Sequence, residues 1–205
     1  MGSEKVENAH PGMHKINLPT KITLLRIVLV PLLLGFFALS RFHALSAVFA
    51  PSQVNALVAL IFGAAALTDW LDGHLARSTQ QVTSLGRLLD PIADKILLAA
   101  GLIPLVELGR APAWMAAIML IREFAVAGLR EIAAEQKVVI AASRLAKQKT
   151  FVQILSILFL ILNYETWPLT FQEIGLGLLT LGLVLSLVSG VDYYVKCRRV
   201  LQYRW

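Results

Sequence analysis

The chain has 205 residues, 57% of them hydrophobic and only 16% charged, and its mean hydropathy is +0.69. That balance excludes an ordinary soluble domain and indicates an all-α polytopic membrane protein, with room for one bundle of about six helices at ~20 residues per span. The net charge of +6 reads as cytosolic loops facing anionic lipid, not as nucleic-acid binding, and the single cysteine, Cys197, excludes an internal disulfide.

Residues 1–14 are polar and carry Gly2, Pro11 and Gly12, which predicts a disordered segment. Met13 reads as a candidate natural start with an expression remnant before it, and no small-residue cleavage site follows a short apolar core, so no signal peptide is expected. The first span is expected over Ile22–Leu39, with Asn17, Thr20, Thr23 and Arg26 as polar residues entering or inside it. Ser40–Gln53 is a loop in which Pro51-Ser52 signals a helix start.

The second span is expected over Val54–Ala76, the third over Leu85–Leu108, with a polar turn between them. Four aspartates lie across that turn, Asp69 and Asp72 before it and Asp90 and Asp94 after it, with apolar sequence on both sides. Carboxylates inside a bilayer cost several kcal/mol each, so four so close together need a reason, and a bound cation supplies one. Spacings of three and four put each pair on one helix face. Gly73, Ala76 and Gly86 make that face small enough for a bulky ligand to reach the backbone, and Arg77 adds a fixed positive charge. Hard oxygen donors in this number suit Mg²⁺ or Mn²⁺ and not zinc or copper.

The fourth span is expected over Ala113–Ala134. It carries Arg122-Glu123 and Arg130-Glu131, the two arginines about 80° apart around the helix. Val138–Thr150 holds Arg144, Lys147 and Lys149. The apolar run Phe151–Leu162 is short for a span, so the fifth helix is expected to begin before Lys149. The sixth is expected over Glu173–Val195, followed by a basic, aromatic tail. Gly175, Gly177, Gly182, Ser186, Ser189 and Gly190 read as helix-packing positions. Lysines and arginines concentrate in alternate connections, which places both termini, the aspartate hairpin and the basic group of Arg122, Arg130, Arg144 and Lys147 on the cytosolic side.

Asp69-Trp-Leu-Asp72-Gly73-His-Leu-Ala76-Arg77, eight residues, then Gly86-Arg-Leu-Leu-Asp90-Pro-Ile-Ala-Asp94 resembles the signature of the CDP-alcohol phosphotransferases, D-x-x-D-G-x-x-A-R-x8-G-x3-D-x3-D, with every fixed position filled. The resemblance implies transfer of a substituted phosphoryl group from a CDP-linked lipid to an alcohol, with release of CMP, and a homodimer in the cell membrane. It implies two metal ions, held by Asp69, Asp72 and Asp90, with Asp94 as general base and further ligand. Gly73, Ala76, Arg77 and Gly86 match positions that accommodate the cytidine diphosphate. Asn17-x-Pro-x-x-x-Thr23-x-x-Arg26, with Thr20, is similar to the run that lines the nucleotide pocket in family members.

Arg122-Glu-Phe-Ala-Val-Ala-Gly-Leu-Arg130-Glu resembles the R-E-x6-R-E segment of the phosphatidylglycerophosphate synthases within that family. Ala146-Lys-Gln-Lys-Thr150 resembles their G-K-x-K-T, with alanine in place of glycine. Arg122, Arg130, Arg144, Lys147 and Lys149 suit an acceptor that itself carries a phosphate. The expectation is phosphatidyl transfer from CDP-diacylglycerol to sn-glycerol 3-phosphate within a domain spanning residues 15–200, with 201–205 as a tail. The alternatives are another phosphorylated polyol such as inositol phosphate, and a cation-coupled transporter, in which buried carboxylates also occur.

Overall fold

The computed structural model describes residues 18–39, 49–79, 84–136, 144–165 and 170–202; within them the side chains of 18–24, 26, 27, 69–79, 84–91, 94, 144–147 and 200–202 are not described. The expected disorder of 1–14, Asn17 and the last residues of the tail lie outside this set. Among the described residues there are six α-helices and no strand: α1 Leu18–Leu39, α2 Pro51–Thr79, α3 Ser84–Glu107, α4 Ala113–Glu135, α5 Arg144–Leu162 and α6 Phe171–Gln202.

The ends follow from local chemistry. Gly109 takes φ 70 and closes α3, with Gly109 N–H on Val106 O at 3.0 Å and Arg110 N–H on Leu105 O at 2.8 Å; only glycine adopts that conformation freely. Asn163 at φ 47 closes α5 in the same way. Thr170 and Glu173 cap α6 reciprocally, Thr170 N–H bonding Glu173 Oε2 at 2.9 Å and Glu173 N–H bonding Thr170 Oγ1 at 3.2 Å. α1 begins at Leu18, before the expected Ile22, because Pro19 is tolerated in a first turn. α6 runs past the expected Val195 to Gln202, so the basic residues Lys196, Arg198 and Arg199 are helical and not a tail.

The core joins all the helices but places them unequally. Phe62 of α2, Leu102 and Leu105 of α3, Met119 of α4, Ile157, Leu160 and Ile161 of α5 and Leu179 of α6 are fully buried together. α5 and α6 form an antiparallel hairpin, α1 packs on α2 and α3, and α4 lies along α6. Gly101 admits the contact of α3 with its neighbours, since a Cβ there would lie 2.8 Å from Phe62 Cε2 and 3.0 Å from Ile157 Cγ2. Gly175 does the same for α6 on α5, where a Cβ would meet Leu160 at 2.7 Å.

One end of the bundle is tied by Arg110. Its guanidinium donates to Ile161 O at 2.8 Å, Leu160 O at 3.3 Å and Asn55 Oδ1 at 3.4 Å, while Gln172 Nε2 donates to Arg110 O at 2.8 Å. A cation at the C-terminus of α5 meets the carbonyls that the helix leaves unpaired. Desolvation lowers the pKa of Arg110 from its ordinary value. The start of α2, the α3–α4 turn, the end of α5 and the start of α6 therefore share this end. The end of α2, the start of α3, the second half of α4, the start of α5 and the last turns of α6 share the other.

The outer faces are apolar. Leu60, Ile103, Ile121, Phe124, Phe151 and Val191 are each more than half exposed. Pro51–Thr68 and Phe171–Arg199 are long and apolar enough to cross a membrane, and Val28–Leu39 and Gln148–Leu162 are shorter apolar stretches.

Candidate active site

α2 and α3 are continuous helices through the aspartate positions. Asp69 and Asp72 lie in the last turns of α2 with Gly73, Ala76 and Arg77. Asp90 and Asp94 lie in the first turns of α3 after Gly86. The backbone thus brings the two aspartate pairs to the same end of the bundle, on helices joined through residues 80–83. Their side chains lie outside the described set, as do those of Thr20, Thr23 and Arg26 in the first turns of α1. Among the described residues no three His, Cys, Asp or Glu side chains cluster.

The basic residues show their partners. Arg122 of α4 donates from Nη1 to Glu123 Oε1 at 3.0 Å and from Nη2 to Ser189 Oγ of α6 at 2.6 Å. Lys149 of α5 bonds the same Glu123 Oε1, and Ser186 Oγ of α6 reaches that oxygen at 3.4 Å. The side chains of Arg122, Glu123 and Lys149 are 10%, 18% and 8% exposed. Two buried cations, one from α4 and one from α5, thus converge on one carboxylate, with a hydroxyl of α6 beside it. Lys149 is no solvated loop lysine, because α5 begins at Arg144 and carries it inward.

Not every donor here is used. Arg122 Nε and Gln153 Nε2 are buried with no hydrogen-bond partner among the described residues. Gln153 follows Lys149 by one turn of α5 and is 3% exposed. A buried donor left unpaired costs about 1–3 kcal/mol, so an arriving acceptor atom gains by meeting it.

Arg130 sits apart from this oxygen. Its guanidinium carbon lies 5.4 Å from the centre of the Tyr193 ring, within cation–π range. Beneath it Val126, Ala133, Tyr193 and Cys197 form a second small apolar cluster. Met119, Arg122 and Arg130 of α4 meet Gly182, Ser189 and Tyr193 of α6 in rising order, so the two helices run parallel. Arg144 and Lys147 occupy the first turn of α5, with side chains outside the described set.

Glu123, Gln153, Ser186, Ser189 and Gly190 were not expected in this group. Their signal was present but faint: Gln153 is four residues after Lys149, and Ser186, Ser189, Gly190 and Tyr193 recur at helical spacing on one face of α6. Gly190 lies so close to Arg122 that a Cβ would stand 2.9 Å from its Nε. Gly177, also expected as a packing position, has no neighbour within that reach, since a Cβ there meets nothing within 4 Å.

Residues 16–188 match the family model of the CDP-alcohol phosphatidyltransferases. A Bacillus subtilis (strain 168) protein named CDP-diacylglycerol–glycerol-3-phosphate 3-phosphatidyltransferase is 38% identical over 187 residues, covering 88% of this chain and 94% of the relative. Proteins of the same name from Rickettsia felis and Wigglesworthia glossinidia brevipalpis are 35% and 36% identical, covering 89% and 88% of this chain and 96% and 94% of theirs.

Proposed function

The chain belongs to the CDP-alcohol phosphatidyltransferase family, and we propose that it is a membrane enzyme that transfers the phosphatidyl group of CDP-diacylglycerol to sn-glycerol 3-phosphate. The acceptor's carbon-1 hydroxyl attacks the phosphorus bonded to the diacylglycerol. The new P–O bond forms as the bond to CMP breaks, and the products are phosphatidylglycerophosphate and CMP. In this reading the hydroxyl proton passes to Asp94, with Asp69, Asp72 and Asp90 as metal ligands. Asn17, Thr20, Thr23, Arg26, Gly73, Ala76, Arg77 and Gly86 line the CDP-lipid site. Arg122, Arg130, Arg144, Lys147 and Lys149 receive the acceptor phosphate.

The observation that carries the acceptor assignment is the buried Arg122–Glu123–Lys149 group with its unspent Arg122 Nε. Two cations against one carboxylate leave a positive seat, and a phosphate monoester is the small ligand that fits its charge and donor geometry. The donor set of the α2–α3 hairpin fits hard divalent cations, since carboxylates stand at helical spacing on adjoining helices near their joined ends. Bound there, two Mg²⁺ or Mn²⁺ ions would neutralise the pyrophosphate and polarise it.

The same reading makes all six helices membrane spans, both termini cytosolic and the chain a homodimer in the cell membrane. The exposed apolar faces and the charge asymmetry of the connections support the spans and their direction. The test is CMP release from CDP-diacylglycerol by the purified protein in detergent, with glycerol 3-phosphate, inositol phosphate, glycerol and serine offered in turn. Release with glycerol 3-phosphate alone is expected. Release with inositol phosphate instead would transfer the assignment to that acceptor, and none with any would remove it.

A further inference from the structure

The match to the family model ends at residue 188, one position before the residue that touches Arg122 from α6. Ser189 is 3% exposed and sits between two bonds, accepting from Arg122 Nη2 at 2.6 Å and donating to Ser186 O at 3.0 Å. Its hydroxyl proton is thus committed to its own helix, which turns the oxygen lone pairs toward the guanidinium. The next residue, Gly190, would bring a Cβ to 2.9 Å from Arg122 Nε, 3.4 Å from Cγ and 3.6 Å from Nη2. The Arg122 side chain therefore packs where a side chain at 190 would stand. Its three nitrogens have three different fates: Nη1 to Glu123, Nη2 to Ser189, and Nε buried without a partner.

We propose that Ser189 and Gly190 of α6 are positioning residues for the acceptor site, fixing the plane of the Arg122 guanidinium so that its remaining donors meet the acceptor's phosphate. This rests on the reading of Arg122 as a phosphate-binding residue. Ser189 anchors one corner of the fork, and Gly190 supplies the space in which the fork lies. A planar five-donor group recognises phosphate by direction as well as charge, so a tilt costs affinity even when the charge remains. Ser189 and Gly190 stand on α6, whereas the CDP-lipid's expected site is on and just before α1 and on α2 and α3, so the effect should fall on one substrate.

The experiment is steady-state kinetics of the full chain in detergent micelles, varying glycerol 3-phosphate and CDP-diacylglycerol separately, with thermal unfolding of each variant. Gly190→Ala should raise the KM for glycerol 3-phosphate about tenfold, as expected for a displaced positioning group, and leave the KM for CDP-diacylglycerol within about twofold. Ser189→Ala adds no volume and should raise the acceptor KM about fivefold, while Ser189→Thr, which keeps the hydroxyl, should restore it. Arg122→Gln is the control for the underlying reading. An unchanged acceptor KM in Arg122→Gln removes Arg122 from the site. A raised KM in Arg122→Gln with unchanged KM in Ser189→Ala and Ser189→Thr alike overturns the role of α6, as does a loss of kcat and melting temperature with both KM values intact. If Gly190→Ala does not fold, the Ser189 pair decides alone.

Discussion

Arg122 and Lys149 stand on different helices and end on the same atom, Oε1 of Glu123. The carboxylate offsets the repulsion of two buried cations. Removing it leaves both charges unpaired in a desolvated place, which typically costs 3–5 kcal/mol. Glu123→Ala should therefore lower stability by about 3 kcal/mol or more, read by denaturant unfolding in detergent. A loss under about 1 kcal/mol would mean that water already reaches the pair.

Activity should require a divalent cation. Excess EDTA should abolish CMP release, and Mg²⁺ or Mn²⁺ should restore it. Full turnover in EDTA by protein free of bound metal would dismiss the carboxylate cage.

The aspartates should divide their labour. Asp90→Asn removes a charged ligand and should lose metal binding together with turnover. Asp94→Asn should lose turnover by about a hundredfold or more, yet keep more of the affinity for CDP-diacylglycerol, since a base acts only on the attacking hydroxyl. Calorimetric titration with Mn²⁺ and with the nucleotide lipid separates the two; equal losses in both would make Asp94 chiefly a ligand.

Arg130→Ala should raise the KM for glycerol 3-phosphate by roughly tenfold to a hundredfold, with Arg130→Lys a poor replacement because the fork is lost. The ring at 5.4 Å adds a refinement. Tyr193→Leu frees the guanidinium from its aromatic support and should raise the same KM severalfold, at the scale of a partly buried cation–π contact of about 1 kcal/mol. Unchanged acceptor kinetics in Arg130→Ala would exclude Arg130 from the site.

Arg110→Ala should act on stability alone. It strips charge-assisted bonds from the carbonyls of Leu160 and Ile161, and a loss of about 2–3 kcal/mol is expected. Both KM values should stay unchanged in the folded fraction, because Arg110 lies at the end of the bundle away from the aspartates. A shift in either KM would show that the two ends are coupled.

The apolar runs between Gly, Pro and polar turns were enough to order the six helices of the described residues, and Pro51 was legible as a start. The shortness of Phe151–Leu162 implied that α5 begins before Lys149, and it does, at Arg144. The boundaries of α6 were harder. Its start was written in Thr170-Phe-Gln-Glu173, a capping box easily passed over beside a long apolar run. Its end was obscured because Lys196, Arg198 and Arg199 halt an apolar pattern without halting a helix. The Lys196–Asp192 pair at 2.7 Å and the buried Cys197 carry the helix on. The spacing of Ser186, Ser189 and Gly190 marked a face of α6 only faintly, and the bond of Ser189 to Arg122 depends on α6 lying parallel to α4. No local pattern states which face of one helix meets which face of another.

Cys197 gives the chain a built-in reporter. It is the sole cysteine in the sequence, its thiol is free, and it is 1% exposed in the cluster of Val126, Ala133 and Tyr193. A thiol so covered reacts only when its cover lifts, so its rate of alkylation counts the openings between the last turns of α4 and α6. Those turns carry Arg130 and its aromatic partner. A single alkylating reagent, with no engineered label, would therefore time the separation of α4 from α6 in the resting protein and again with each substrate added.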